Sequence, residues 1–142
     1  MFTVLLRERG VEVVGPPSTG AAPANTVTIA KVRSKKLPQI LAQLLTFSDN
    51  QTAELILREI GRAQGGEGTT PAGAGAVEQV LTQAGLAIGP EDAVDGSGLA
   101  EGNRLTCATL VETIEANPSL VDGFATGGQP GTLATFAGTP LE

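Results

Sequence analysis

Two apolar stripes follow one another with almost no chain between them, and that junction constrains the fold more than any other feature. Leu37, Ile40, Leu41, Leu44 and Leu45 recur at three- and four-residue spacing, which marks one face of a helix. Pro38 suits the start of that helix, and the pattern predicts that it runs to about Phe47. Ala53, Leu55, Ile56, Leu57 and Ile60 give a second helix a broad apolar surface, with Gly61 as its expected stop. Ser48-Asp49-Asn50 stands at the junction. Ser48 offers an N-cap hydroxyl with Gln51 three residues on, a capping-box pattern, and Glu54 and Arg58 make an i,i+4 pair on the expected outer face.

The flanking chain is punctuated by breakers. Phe2 to Arg9 is expected to be helical, turning at Gly10. Val11 to Val14 is expected to be extended before Gly15-Pro16-Pro17, and Thr26 to Val32 alternates like a strand with one buried face. Thr70 and Pro71 suit the N-cap and first position of another helix, which reaches Ala84 and stops at Gly85. Leu86-Ala87-Ile88 is expected to be extended and Asp95-Gly96-Ser97-Gly98 to be a turn. Thr106 caps a last helix through Ala116, ahead of Asn117-Pro118. The expected class is mainly α with a few short strands, an α+β chain in the broad sense.

A chain of 142 residues with 41% hydrophobic content supports one domain with a modest core. Its four Phe, with no Trp or Tyr, leave the interior to Leu, Ile, Val and Ala, so modest stability is expected. A net charge of −6 argues against nucleic acid and membrane-surface partners. Apolar runs are too short to span a bilayer, and no basic segment followed by an apolar one opens the chain. Cys107 is the only cysteine and histidine is absent. An internal disulfide, a Cys/His zinc site, and Ser-His-Asp or Cys-His catalysis are thereby excluded. No metal or other cofactor is expected.

Ser48-Asp49-Asn50 also has a chemical reading. A Ser-Asp-Asn tripeptide precedes many helices simply because all three residues cap well. In serine enzymes acting on penicillins, however, it partners a Ser-x-x-Lys that carries the nucleophile and a Lys-Thr-Gly that closes the site. The three lysines here, Lys31, Lys35 and Lys36, complete neither motif. For Asp95-Gly96-Ser97-Gly98 a tight turn is favoured over a second nucleophile, because no base is present to activate Ser97. Cys107 is expected to be a small core residue, and Lys35-Lys36 a solvated pair.

Ser48-Asp49-Asn50-Gln51-Thr52-Ala53-Glu54 leading into Leu55 to Gly61, with Asp95-Gly96-Ser97-Gly98-Leu99 ahead of Asn103-Arg104, resembles the penicillin-binding D-alanyl-D-alanine carboxypeptidase/endopeptidases of the low-molecular-mass, class C type. Leu5 to Gly15, Gly131-Thr132-Leu133 and Gly138-Thr139-Pro140 extend the likeness over nearly the whole chain. A class A β-lactamase also uses Ser-Asp-Asn at a helix junction, but the residues downstream favour the carboxypeptidase.

The resemblance implies the helical part of a β-lactamase/D,D-peptidase fold. Residues 1–140 would form a partial domain, an internal piece lacking the two outer motifs, and Leu141-Glu142 would be native or a cloning remnant. It implies that Ser48 passes a proton between an activating lysine and the leaving nitrogen. Asn50 would donate its carboxamide to the substrate carbonyl and accept from the lysine, while Asp49 stays structural. The implied partners are peptidoglycan peptides and β-lactams, outside the cytoplasm, with the chain alone inactive. Apolar faces around Leu41, Leu44, Leu45, Leu55 and Ile56 would favour a homodimer of the isolated chain. The alternative from another class is a non-catalytic helical binding or scaffolding module.

Overall fold

The structure is a computed structural model that describes residues 2–86 and 93–137. It contains α1 (Phe2–Glu8), α2 (Leu37–Phe47), α3 (Asn50–Ala63), α4 (Thr70–Gln83) and α5 (Cys107–Ala116), followed by a 3-10 helix at Pro118–Gly123. The chain divides into two compact units, Met1–Ser34 and Lys35–Glu142.

In the first unit, α1 ends as its sequence predicts. Gly10 takes a φ of +76° and lets the Val11 N–H reach the Leu6 carbonyl at 3.0 Å, the closure that a left-handed residue makes possible. The Arg7 guanidinium donates to the Val13 carbonyl at 3.2 Å. Neither expected strand forms: 11–14 and 26–32 are irregular, and no strand occurs among the described residues. The physical reason is the missing ladder. A strand needs a neighbour to take its backbone hydrogen bonds, whereas Val27 and Ile29 stand 87% and 99% exposed. Of the third expected extended segment, Leu86 is irregular, and Ala87 and Ile88 lie outside the described residues.

The second unit is built on the crossing of α3 and α4. Gly61 is not a helix stop; it is buried inside α3 and faces Gly73, buried inside α4. A Cβ on Gly61 would lie 2.6 Å from the Gly73 nitrogen, and one on Gly73 would lie 2.2 Å from the Leu57 carbonyl oxygen. Only glycines permit the two backbones to come this close. Around them Leu57 and Ala76 are buried, and full burial of a leucine side chain contributes about 1.5–3 kcal/mol. α3 ends beyond its expected stop, where Gly65 has a φ of +83° and Gly66 donates to the Gly61 carbonyl at 3.1 Å.

α4 starts one residue earlier than the sequence suggests. Thr69, not Thr70, is its N-cap, and the Thr69 hydroxyl accepts from the Ala72 N–H at 3.4 Å. Its end is as expected: Gly85 at φ +79° lets Leu86 donate to Leu81 at 2.9 Å and itself donates to Thr82 at 3.0 Å, a Schellman closure. α5 begins under the Thr106 cap, whose hydroxyl accepts from the Thr109 N–H at 3.0 Å. Cys107 is exposed there rather than in a core.

α2 carries the 3-10 helix against one face. Gly123 is buried close to Leu45 and Ala42, and the Thr46 hydroxyl donates to the Gly123 carbonyl at 2.8 Å. On the α2 and α3 stripes, Leu41, Leu44, Leu45 and Ile56 are half-buried and Leu55 is exposed.

Candidate active site

The junction between α2 and α3 is a tight corner made by Ser48 and Asp49. α2 closes as α1, α3 and α4 do, with a left-handed residue past its last turn, but here that residue is serine. Ser48 has φ 52° and ψ 52° and is the single non-glycine residue with positive φ among those described. Its conformation lets the Asp49 N–H donate to the Leu44 carbonyl at 3.1 Å. A Cβ makes this region unfavourable, so the serine side chain is retained at a position where glycine fits better.

The capping box expected from Ser48 and Gln51 does not form. Asp49 is the N-cap of α3. One carboxylate oxygen, Oδ1, accepts from the Thr52 N–H at 3.1 Å, and Oδ2 accepts from the Thr52 hydroxyl at 2.8 Å. These bonds, the backbone one first, hold the Asp49 carboxyl below its ordinary value of 3.8. With Ser48 already spent as the helix-closing residue of α2, the next cap-forming residue takes the N-terminus of α3.

Asn50 is the first residue of α3. Ser48, Asp49 and Asn50 are all exposed. Asp49 is engaged by Thr52, and Ser48 and Asn50 flank it on the surface of the corner.

Two loops are tied to the helices on either side. Before the corner, the Thr46 carbonyl accepts from the Thr132 N–H at 3.1 Å, so the 123–132 segment is joined to the last turn of α2 through the Gly123 carbonyl and the Thr132 amide. After the corner, Glu54 turns to loop 93–104 instead of Arg58: its Oε1 accepts from the Gly96 N–H at 3.0 Å, the Ser97 N–H at 3.0 Å and the Ser97 hydroxyl at 2.9 Å. Arg58 donates to the Thr70 hydroxyl at 3.2 Å.

Asp95 organises the loop from within. Its carboxylate accepts from the Gly98 N–H at 2.7 Å, the Ala100 N–H at 2.7 Å and the Asn103 amide at 2.9 Å. Partial desolvation raises the Asp95 pKa, but the bonds from Asn103, Ala100, Gly98 and Ser97 outweigh it and hold the carboxyl below 3.8. Asn103 returns the favour by accepting from the Val94 N–H at 2.9 Å. With Gly98 at φ +77°, the chain bends at 96–98 in line with the turn reading, and the Ser97 hydroxyl is held between Glu54 at 2.9 Å and Asp95 at 3.2 Å. The sequence signal for Glu54 was a surface ion pair; its contact 42 and 43 residues away has no local signature.

Between α2, α3 and this loop lies a cleft of 250 Å³ whose walls include Leu41, Leu44, Ala53, Leu57, Ala93 and Gly96. Among the described residues there is no group of three or more metal-binding side chains, and no helix is long and apolar enough to cross a membrane.

The fold is similar to part of a solved penicillin-binding protein. The crystal structure of penicillin binding protein 4 (dacB) from Haemophilus influenzae, complexed with a novel β-lactam, matches it with a TM-score of 0.69 at 27% identity, over 94% of this chain and 33% of that one. The family model for D-Ala-D-Ala carboxypeptidase 3 (S13) matches residues 1–141, and the chain belongs to that family. It is 34% identical over 117 residues to a D-alanyl-D-alanine carboxypeptidase of Actinomadura sp. (strain R39), covering 80% of this chain and 22% of the relative. It is 38% identical over 115 residues to carboxypeptidase DacB of Mycolicibacterium smegmatis, covering 75% of this chain and 25% of the relative. The chain thus spans about a quarter of the length of these curated relatives.

Proposed function

We propose that this chain supplies the Ser-Asp-Asn wall of a serine-type D-alanyl-D-alanine carboxypeptidase/endopeptidase that cleaves peptidoglycan peptides through an acyl-enzyme outside the cytoplasm. The observation that carries the reading is Ser48 itself. A serine held left-handed where α1, α3 and α4 each use glycine is a strained residue, and such strain persists where a side chain serves a function.

In acyl transfer the attacking serine loses a proton and the departing amine gains one. In this reading the nucleophilic serine and its lysine belong to a Ser-x-x-Lys outside this sequence. The Ser48 hydroxyl passes the proton from that lysine to the leaving nitrogen. The Asn50 carboxamide donates an N–H to the substrate carbonyl and accepts from the lysine through its oxygen. Asp49 fixes the geometry by anchoring α3 to the corner, and takes no part in the chemistry. Residues 1–140 would be one part of the penicillin-binding domain.

The reading is tested on the chain alone by incubation with a reporter penicillin and intact-mass measurement. No covalent increment is expected, since the nucleophile is elsewhere. A stoichiometric acyl increment on any serine of this chain would show that the roles are wrongly assigned.

A further inference from the structure

We propose that Thr46 is a positioning residue for Ser48: held at both its hydroxyl and its carbonyl by the 123–132 segment, it fixes the last turn of α2 and with it the direction of the Ser48 hydroxyl. This rests on the enzymatic reading above and deepens it.

Thr46 stands two residues before Ser48, inside the turn that Ser48 closes. The last carbonyls of a helix have no partner within it, and α2 meets that need unevenly. The Ser48 and Asp49 N–H groups both donate to the Leu44 carbonyl, whereas the left-handed glycines after α1, α3 and α4 donate to a second carbonyl, that of Arg7, Arg62 or Thr82. The Thr46 carbonyl takes its bond from outside, from the Thr132 N–H at 3.1 Å. Its half-buried side chain reaches the same segment, the hydroxyl donating at 2.8 Å to the Gly123 carbonyl, 77 residues along the chain. A distant segment thus braces the corner.

The approach is close enough to fix the turn. A Cβ at Gly131 would lie 2.8 Å from the Thr46 carbonyl oxygen and 2.9 Å from the Thr46 methyl carbon, and one at Gly123 would lie 3.1 Å from the Ala42 Cα. Glycine at both positions lets the segment seat its backbone on α2. A serine held in the left-handed region persists only where its surroundings over-determine it, and on the α2 side the two Thr46 bonds supply those surroundings. Loosening them frees Ser48 to leave the orientation that proton transfer requires. Asn50 belongs to α3 and sits behind the Asp49 cap, so it stays in place. The consequence falls on the rate of acylation, not on affinity.

The test is made in the complete enzyme with Thr46→Val, which keeps the shape and removes the hydroxyl, and Thr46→Ser, which keeps the hydroxyl. Thr46→Val is expected to slow acylation by saturating reporter penicillin roughly tenfold, the scale of one lost hydrogen bond, with the half-saturating concentration unmoved, and Thr46→Ser is expected to recover most of the rate. Gly131→Ala pushes the segment off Thr46 while leaving both Thr46 groups intact; it is expected to slow acylation likewise and serves in place of Thr46→Val if that variant does not fold. A double-mutant cycle with Ser48→Ala shows whether Thr46 acts through Ser48: once the relay hydroxyl is gone, Thr46→Val should cost nothing more. A wild-type rate in Thr46→Val, or the same loss with and without the Ser48 hydroxyl, overturns the proposal. If Ser48→Ala itself acylates at the wild-type rate, the enzymatic reading falls and the proposal with it; a slow Ser48→Ala beside an unimpaired Thr46→Val removes the proposal alone.

Discussion

The Asp49 N–H reaches back 3.1 Å to the Leu44 carbonyl because Ser48 between them is left-handed. The same bond at the ends of α1, α3 and α4 spans Gly10, Gly65 and Gly85. One corner of the molecule therefore holds a conformation that its own side chain disfavours.

Ser48→Gly is accordingly expected to stabilise the fold by about 1 kcal/mol, the cost of a Cβ in the left-handed region, while abolishing the proton relay in the complete enzyme. Chemical denaturation and acylation kinetics on the same variant check both halves. A destabilised variant would show that the Ser48 side chain contributes packing, not strain.

Asp49 gives a pH dependence of known sign. Its folded-state pKa lies below 3.8, chiefly through the Thr52 N–H and then the Thr52 hydroxyl. The stabilisation is thus fully present above the unfolded carboxylate value and is lost as pH falls through the lowered folded value. Exchange of the Thr52 amide, followed from neutral pH down into that acid range, is expected to accelerate beyond the intrinsic pH trend. Asp49→Ala should exchange quickly at every pH.

Two glycines of α4 should respond in opposite senses to the same change. At Gly73 an added Cβ meets the Leu57 carbonyl oxygen at 2.2 Å, whereas at Gly75 nothing lies within 4 Å. Gly73→Ala is expected to destabilise by about 1–3 kcal/mol through forced separation of α3 and α4. Gly75→Ala should stabilise by about 0.5–1 kcal/mol by restricting the unfolded chain. Urea denaturation of the pair separates helix propensity from packing.

The residues differ in how plainly they announce these roles. The stripes from Leu37 to Leu45 and Ala53 to Ile60 are local patterns, and the helices they predict are present at α2 and α3. Thr106 and Gly85 likewise act through neighbours within a few residues, so their caps are legible. Gly61 misleads because a helix stop and a close helix crossing ask for the same residue, and only Gly73, distant in sequence, distinguishes them. Val27 to Val32 misleads because alternation records a preference, while a strand also requires a partner. At the site, Ser48, Asp49 and Asn50 are recognisable as a motif, but which residue caps α3 depends on the left-handed closure of α2. Glu54 is the residue that sequence reasoning places least well, since its partners lie across a loop whose position no local pattern encodes.

The most direct measurement is the rate of penicillin acylation in the complete enzyme carrying Asn50→Ala. Asn50 is exposed at the first turn of α3, so the fold should persist, as judged by an unchanged circular dichroism spectrum and melting transition. The loss of its hydrogen bond to the substrate carbonyl in the transition state is expected to slow acylation by about 100- to 1,000-fold. An unchanged rate in a folded variant would contradict the assignment and remove the Ser48 to Asn50 corner from the active site.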